Sequence, residues 1–302
     1  MAIEDLQASF GIPGLAEFKR HANGLIFIEL RTGQATATLQ LQGAHLSLWQ
    51  PAGERPVLFL SRKAVIEPGK PLRGGMPICF PWFGPHPTDP GQPAHGVVRQ
   101  HDWEIEAVEH DAGGGALVRL AFPPPALQAA GVSPRVELRY RLRIGATLEA
   151  ILEVTNRSDV AFQFEEALHP YFAIGGIDDV SVTGIEGAVY VDKVDGLRRK
   201  RQGAAPLRFA GETDRTYLDT TGTCRIVDPA WQRTIVIEKQ ASASTVIWNP
   251  WAGRARGMGD LDADEWRDFV CVETANAMDN RIALQPGGTH RLLARYSVER
   301  NR

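Results

Sequence analysis

Cysteine is scarce in this 302-residue chain: Cys79, Cys224 and Cys271 are the whole set, and no two form a CxxC pair. An odd, dispersed count excludes a disulfide framework or a zinc knuckle as the organising device. Excess positive charge is missing too. Lys+Arg number 33 against Asp+Glu 36, a net charge of −3, so no global basic field draws in nucleic acid or an acidic membrane. No apolar stretch approaches the ~20 residues that span a bilayer. The N-terminus carries Glu4 and Asp5 without a continuous apolar run, so a secretory signal is not visible and cytoplasmic residence is the expectation.

Long helical periodicity is equally lacking; only Ile3–Ser9 and Pro125–Ala130 read as short helical turns. There is no GxSxG elbow, Walker A loop or GxGxxG fingerprint. Asp260, Asp262 and Asp264 imitate the start of a calcium loop. Its sixth position, however, is Glu265 where Gly is needed, and its twelfth is Cys271 where Glu is needed. His95 and His101 stand six apart with no HxH pair, so nothing in the spacing supports a metal site. No cofactor and no metal are expected.

What dominates instead is alternation of period two, the mark of strands half-buried on one face. Residues 136–144 put Val136, Leu138, Tyr140, Leu142 and Ile144 on one face and Glu137, Arg139, Arg141 and Arg143 on the other. The next run places Leu148, Ala150, Leu152 and Val154 inside, and Glu149, Ile151 and Glu153 outside. Matching these faces across a hairpin demands an odd loop, which Gly145–Thr147 supplies. Arg143 then lies opposite Glu149 and Arg139 opposite Glu153, so the arginines form a charge-paired, solvated sheet face. Similar runs occur at 24–30, 35–41, 44–49, 104–109, 116–122, 160–168, 234–238, 244–248, 269–274 and 291–298. Two domains would fit the length at roughly 150 residues each. With no linker, repeat or compositional break, the chain reads better as one domain, 1–302: a large antiparallel β-sandwich.

One segment departs from this pattern. Residues 69–96 hold six Gly and seven Pro among 28. So long a loop is usually functional or disordered, and Phe80, Trp82 and Phe83 argue for order. Trp82, Phe83 and Trp251 suit a sugar face and a protein core equally well. Further on, His169 follows the run Val160–Leu168 beside Tyr171 and Phe172. Glu273 alternates onto the face of Phe269 and Cys271, where a carboxyl is costly unless paired and where desolvation raises its pKa towards a neutral-pH base. A bare structural histidine and a strand-locking ion pair are the plainer readings of these two residues.

Several ordered motifs then carry a resemblance. They are Arg73-Gly74-Gly75-Met76-Pro77, Phe80-Pro81-Trp82-Phe83-Gly84, Ala94-His95-Gly96-Val97-Val98-Arg99 and Leu168-His169-Pro170-Tyr171-Phe172. Glu212-Thr213-Asp214-Arg215-Thr216-Tyr217, Trp248-Asn249-Pro250-Trp251 and Val272-Glu273-Thr274-Ala275-Asn276 follow in the same order. Together, over roughly residues 10–298, they resemble the hexose-6-phosphate mutarotase branch of the aldose 1-epimerase family. The resemblance implies an all-β, galactose mutarotase-like sandwich with only short helices and a sugar cleft on one concave sheet. It implies His169 as general acid and Glu273 as general base, with Arg73, His95, Arg99 and Asp214 binding substrate. Where some relatives carry a sugar-contacting Gln, this chain has Ala94.

The implied reaction interconverts the α and β anomers of a hexose 6-phosphate, glucose 6-phosphate foremost, in a monomer needing no partner but its small-molecule substrate. Two other readings stay open: an aldose 1-epimerase acting on free hexoses, and a non-catalytic sugar-phosphate-binding sandwich. The chemistry suits the residues. One group takes the proton of the anomeric hydroxyl while another protonates the ring oxygen, and the roles reverse on closure. Planar guanidinium groups on Arg73 and Arg99 suit a phosphate dianion.

Overall fold

The computed structural model describes residues 2–129, 131–132 and 135–301. Two large antiparallel sheets lie face to face over a shared apolar core. The back sheet runs in the spatial order Leu207–Arg208, Ser181–Thr183, Cys224–Asp228, Arg233–Gln240, Thr289–Arg300, Leu148–Asn156, Val136–Ile144, Ala116–Ala121 and Glu104–His110. The site sheet runs Arg198–Arg201, Val189–Asp192, Thr213–Tyr217, Ser244–Asn249, Phe269–Asn276, Glu166–Leu168 and Ile78–Cys79, and Tyr171–Ala173 pairs alongside on Phe269–Asn276. A four-stranded meander, Ala16–Arg20 to His45–Pro51, packs its inward side chains Ile28, Leu30, Leu39 and Trp49 into the same core.

The expected hairpin forms with the register deduced from face parity. Arg143 faces Glu149 and Arg139 faces Glu153 across Val136–Ile144 and Leu148–Asn156. Arg143 bonds Glu149 at 3.4 Å. Arg139 instead turns to Glu106 at 3.1 Å, on the sheet's last strand. Ile151 was expected outside and is buried, flanked in register by Arg141 and Leu293; the stems of long side chains cover apolar neighbours in this way.

The run 160–168 is not one strand. It breaks at Glu165 into Phe162–Phe164, which pairs with Ile282–Leu284, and Glu166–Leu168, which joins the site sheet. At the break the Glu165 N–H bonds the Pro81 carbonyl at 2.9 Å, and its two carboxylate oxygens accept from the N–H groups of Phe83 (3.0 Å) and Met278 (2.7 Å). The helices are short, Ile3–Phe10 and Pro124–Ala129 among them, as expected. Ala130, the last residue of the second expected turn, lies outside the described residues. No helix of the described residues is long and apolar enough to cross a membrane.

Candidate active site

Strand alternation builds the site floor. On Phe269–Asn276, Val272, Thr274 and Asn276 take one face while Cys271, Glu273 and Ala275 take the other. Register places Val246 beside Glu273, Trp248 beside Cys271, Asp214 beside Trp248 and Ala167 beside Ala275. His169 emerges one step beyond Glu166–Leu168, on the face of Ala167. Its Nε2 lies 3.2 Å from Glu273 Oε1, with side-chain exposures of 8% and 1%. The two residues singled out for acid–base work are therefore brought together and kept from bulk water.

Burial sets their protonation. Desolvation pushes the Glu273 carboxyl well above the usual carboxylate range, against the pull of Lys193 and Arg99. Desolvation, then the positive field of Arg99, Arg73 and Lys193, pulls His169 down to about 3. Both directions favour the neutral forms, so the pair holds one proton between two atoms 3.2 Å apart over a wide pH range. Among the described residues, His169 Nδ1 and Glu273 Oε2 are buried without a hydrogen-bond partner. Since buried polar groups are nearly always bonded, such atoms suit a polar ligand. Tyr171 stacks on the His169 ring at 5.0 Å and 14°, and Trp248 meets it edge-on at 6.2 Å, which fixes its plane.

The Gly/Pro-rich loop forms the opposing wall. His95 sits there with φ +65° and Gly96 with φ +77°. A side chain on Gly96 would collide with the Phe80 carbonyl, so the close approach of the loop to itself requires glycine. His95 Nδ1 accepts from Gly84 N–H at 3.4 Å, its ring lies 5.7 Å from that of His169, and burial lowers its pKa. Gly75, at φ +62°, leaves no room for a Cβ beside the His45 ring. His45 Nε2 donates to the Gly74 carbonyl at 2.9 Å, pinning the loop next to Arg73.

His45 is a residue that sequence reasoning missed, and it carries a prediction. Burial holds its pKa at about 4. An unfolded chain protonates histidine near 6.5, so between pH 6.5 and 4 the unfolded state binds more protons and stability falls as pH falls. His169 and His95 act with the same sign. His45→Gln is expected to flatten the stability–pH curve in that window by up to about 1.4 kcal/mol per pH unit. Denaturant melts at pH 4.5, 5.5 and 6.5 check it, and a slope equal to that of the unaltered protein would contradict it.

The two arginines differ. Arg73 spends its guanidinium within the protein: Nε and one terminal nitrogen donate to Asp260 at 3.2 and 3.1 Å, and the other to the Tyr171 hydroxyl at 2.8 Å. Asp260, read in the sequence only as part of a failed calcium loop, is thus the partner of Arg73. Arg99 stands just past the loop in the turn Val98–Gln100. It donates to the Ala94 carbonyl at 2.7 Å, has no carboxylate partner among the described residues, and keeps a buried Nε without a bond. Asp214 pairs with Lys193 at 3.0 Å, another cleft residue that the sequence did not reveal.

The aromatic candidates also divide. Trp82 is buried and bonds the Pro93 carbonyl, and Trp251 packs on Trp266 at 4.5 Å; both are structural. Phe83 stands in the cleft, edge-on to His95 at 4.8 Å.

Similarity to known proteins places the chain in a family. A family model described as aldose 1-epimerase matches residues 27–297. An Escherichia coli K12 protein named "Putative glucose-6-phosphate 1-epimerase" is 36% identical over 272 residues, 90% of this chain and 90% of its own. A Cenchrus ciliaris protein of the same name is 30% identical over 281 residues, covering 90% and 84%. A Salmonella typhimurium protein, its crystal structure described as that of "a putative mutarotase", superposes with a TM-score of 0.88 at 32% identity, covering 96% and 95%. The chain belongs to the aldose 1-epimerase family.

Proposed function

We propose that this protein is a cofactor-independent isomerase that interconverts the α and β anomers of a hexose 6-phosphate, with glucose 6-phosphate the first substrate to test. The observation that carries the reading is the buried His169–Glu273 contact of 3.2 Å. In a cyclic hexose the anomeric hydroxyl oxygen and the ring oxygen are bonded to the same carbon. Two proton-exchanging groups side by side can therefore reach both oxygens at once. With the shared proton moved from Glu273 to His169, Glu273 takes the hydroxyl proton as His169 delivers one to the ring oxygen, the ring opens, the C1–C2 bond rotates, and closure reverses the transfers. A pair holding one proton begins and ends every turnover in the same state, so no net proton is consumed.

The substrate's remaining groups fall to the cleft walls. Asp214 and His95 bind sugar hydroxyls, and Arg99, which has no carboxylate partner among the described residues, receives the phosphate. Arg73 adds its positive field from the same side. Relatives named as glucose-6-phosphate 1-epimerases, matching nine-tenths of this chain, support phosphorylated over free sugars. The whole chain, 1–302, serves as one domain, acting as a monomer in the cytoplasm on a diffusible substrate. Magnetisation-transfer NMR of anomer exchange, on glucose 6-phosphate and on free galactose and glucose, tests the reading. Exchange of glucose 6-phosphate well above the buffer rate is expected. Acceleration confined to free hexoses would move the assignment to an aldose 1-epimerase, and none at all would leave only a sugar-binding sandwich.

A further inference from the structure

Lys193 lies in the turn after Val189–Asp192, where its N–H bonds the Asp214 carbonyl at 2.9 Å. Its side chain is only 21% exposed. The ammonium sits 3.0 Å from Asp214 on the sheet wall and 4.7 Å over the Phe83 ring on the loop wall. Phe83 touches His95, and His95 touches His169. One lysine therefore joins the two walls and reaches His169 through two aromatic contacts, Phe83 on His95 and His95 on His169. Arg99 acts on this pair with the same sign of charge, yet Lys193 is the cation whose seat is built from both walls.

We propose that Lys193 is a positioning residue that sets the pH range in which the His169–Glu273 pair works. This rests on the acid–base reading above. Around Glu273 the cationic or protonatable groups are His169, Arg99 and Lys193, and of the charges opposing its burial that of Lys193 acts most strongly. The acidic or neutral neighbours are Asp214, which works against Lys193, with the thiols of Cys79 and Cys271 and the Tyr296 hydroxyl. At His169 and His95, burial and then Arg99 lower the proton affinity most, and the Lys193 ammonium acts in the same direction. A pair that turns over with one proton gives a bell-shaped profile, limited in acid by a second proton and in alkali by loss of the last. A nearby cation lowers both limits. Its removal therefore slides the whole bell towards higher pH, whereas loss of a mere strut lowers activity without moving either limb.

The test is kcat and KM for glucose 6-phosphate against pH, background exchange subtracted, in the unaltered protein and in Lys193→Met, Lys193→Gln and Lys193→Arg. Both neutral variants are expected to shift the limbs upward together by about one pH unit, with KM changing less than kcat at the acid edge. Lys193→Arg is expected to leave the limbs in place. Unmoved limbs in the neutral variants, or a change confined to KM, would overturn the proposal. So would failure of both neutral variants to fold, which would make Lys193 a structural strut. If the unaltered protein shows no exchange, it is the acid–base reading that fails.

Discussion

Glu273→Gln and His169→Asn are each expected to slow catalysed anomer exchange of glucose 6-phosphate by about 10²–10⁴-fold, the usual worth of one positioned proton-transfer group. Both substitutions keep shape and remove proton exchange. Glutamine cannot accept the hydroxyl proton, and asparagine cannot deliver one to the ring oxygen. Because the two residues share a proton across 3.2 Å, the double variant is expected to lose little more than either single one; groups that act as a unit are not additive. Stability should fall little or even rise with Glu273→Gln, since the native carboxyl is buried at a cost. Circular dichroism and a denaturant melt establish folding, and magnetisation-transfer NMR reads the rate. Activity within a few-fold of the unaltered protein in either single variant would remove that residue from the mechanism.

Six strands of the back sheet were legible, the clearest because they obey one simple rule, whereas Ser181–Thr183, Leu207–Arg208 and Cys224–Asp228 went unread. Val136–Ile144 and Leu148–Asn156 alternate cleanly, with one face in the core and one in water, so even their cross-strand register followed from parity. The site sheet was legible only in part: the runs 244–248 and 269–274 fell on two of its strands, while Val189–Asp192 and Arg198–Arg201 went unread. Phe269–Asn276 and Ser244–Asn249 are buried on both faces, and the neighbouring Thr213–Tyr217 and Val189–Asp192 show no simple two-faced alternation. Thr213–Tyr217 was noticed only through its motif. His169 and Glu273 stood out because a titratable side chain beside apolar neighbours is costly wherever it is placed. Lys193, His45 and Asp260 did not. Each acts through a partner far away in sequence: Lys193 over Phe83, His45 on Gly74, Asp260 on Arg73. No local pattern announces such contacts; only the tertiary fold makes them.

That unevenness separates the two arginines, which looked equivalent in the sequence. Arg99→Ala is expected to lower kcat/KM for glucose 6-phosphate by about 10- to 150-fold for each charge-assisted bond to phosphate that it removes. Exchange of free hexoses, if detectable, should be almost unaltered. Among the described residues the Arg99 side chain bonds only the Ala94 carbonyl, so its removal disturbs little else. Arg73→Ala must behave differently. It strips Asp260 of its cation and Tyr171 of its hydroxyl partner, and Tyr171 is the ring stacked on His169. Its loss should therefore reach kcat, and do so for phosphorylated and free sugars alike. Steady-state kinetics on both substrate classes decides between them. Equal losses on both classes with Arg99→Ala would take the phosphate away from Arg99. A loss confined to KM for the phosphorylated sugar with Arg73→Ala would show that Arg73 releases Asp260 to grip the substrate directly.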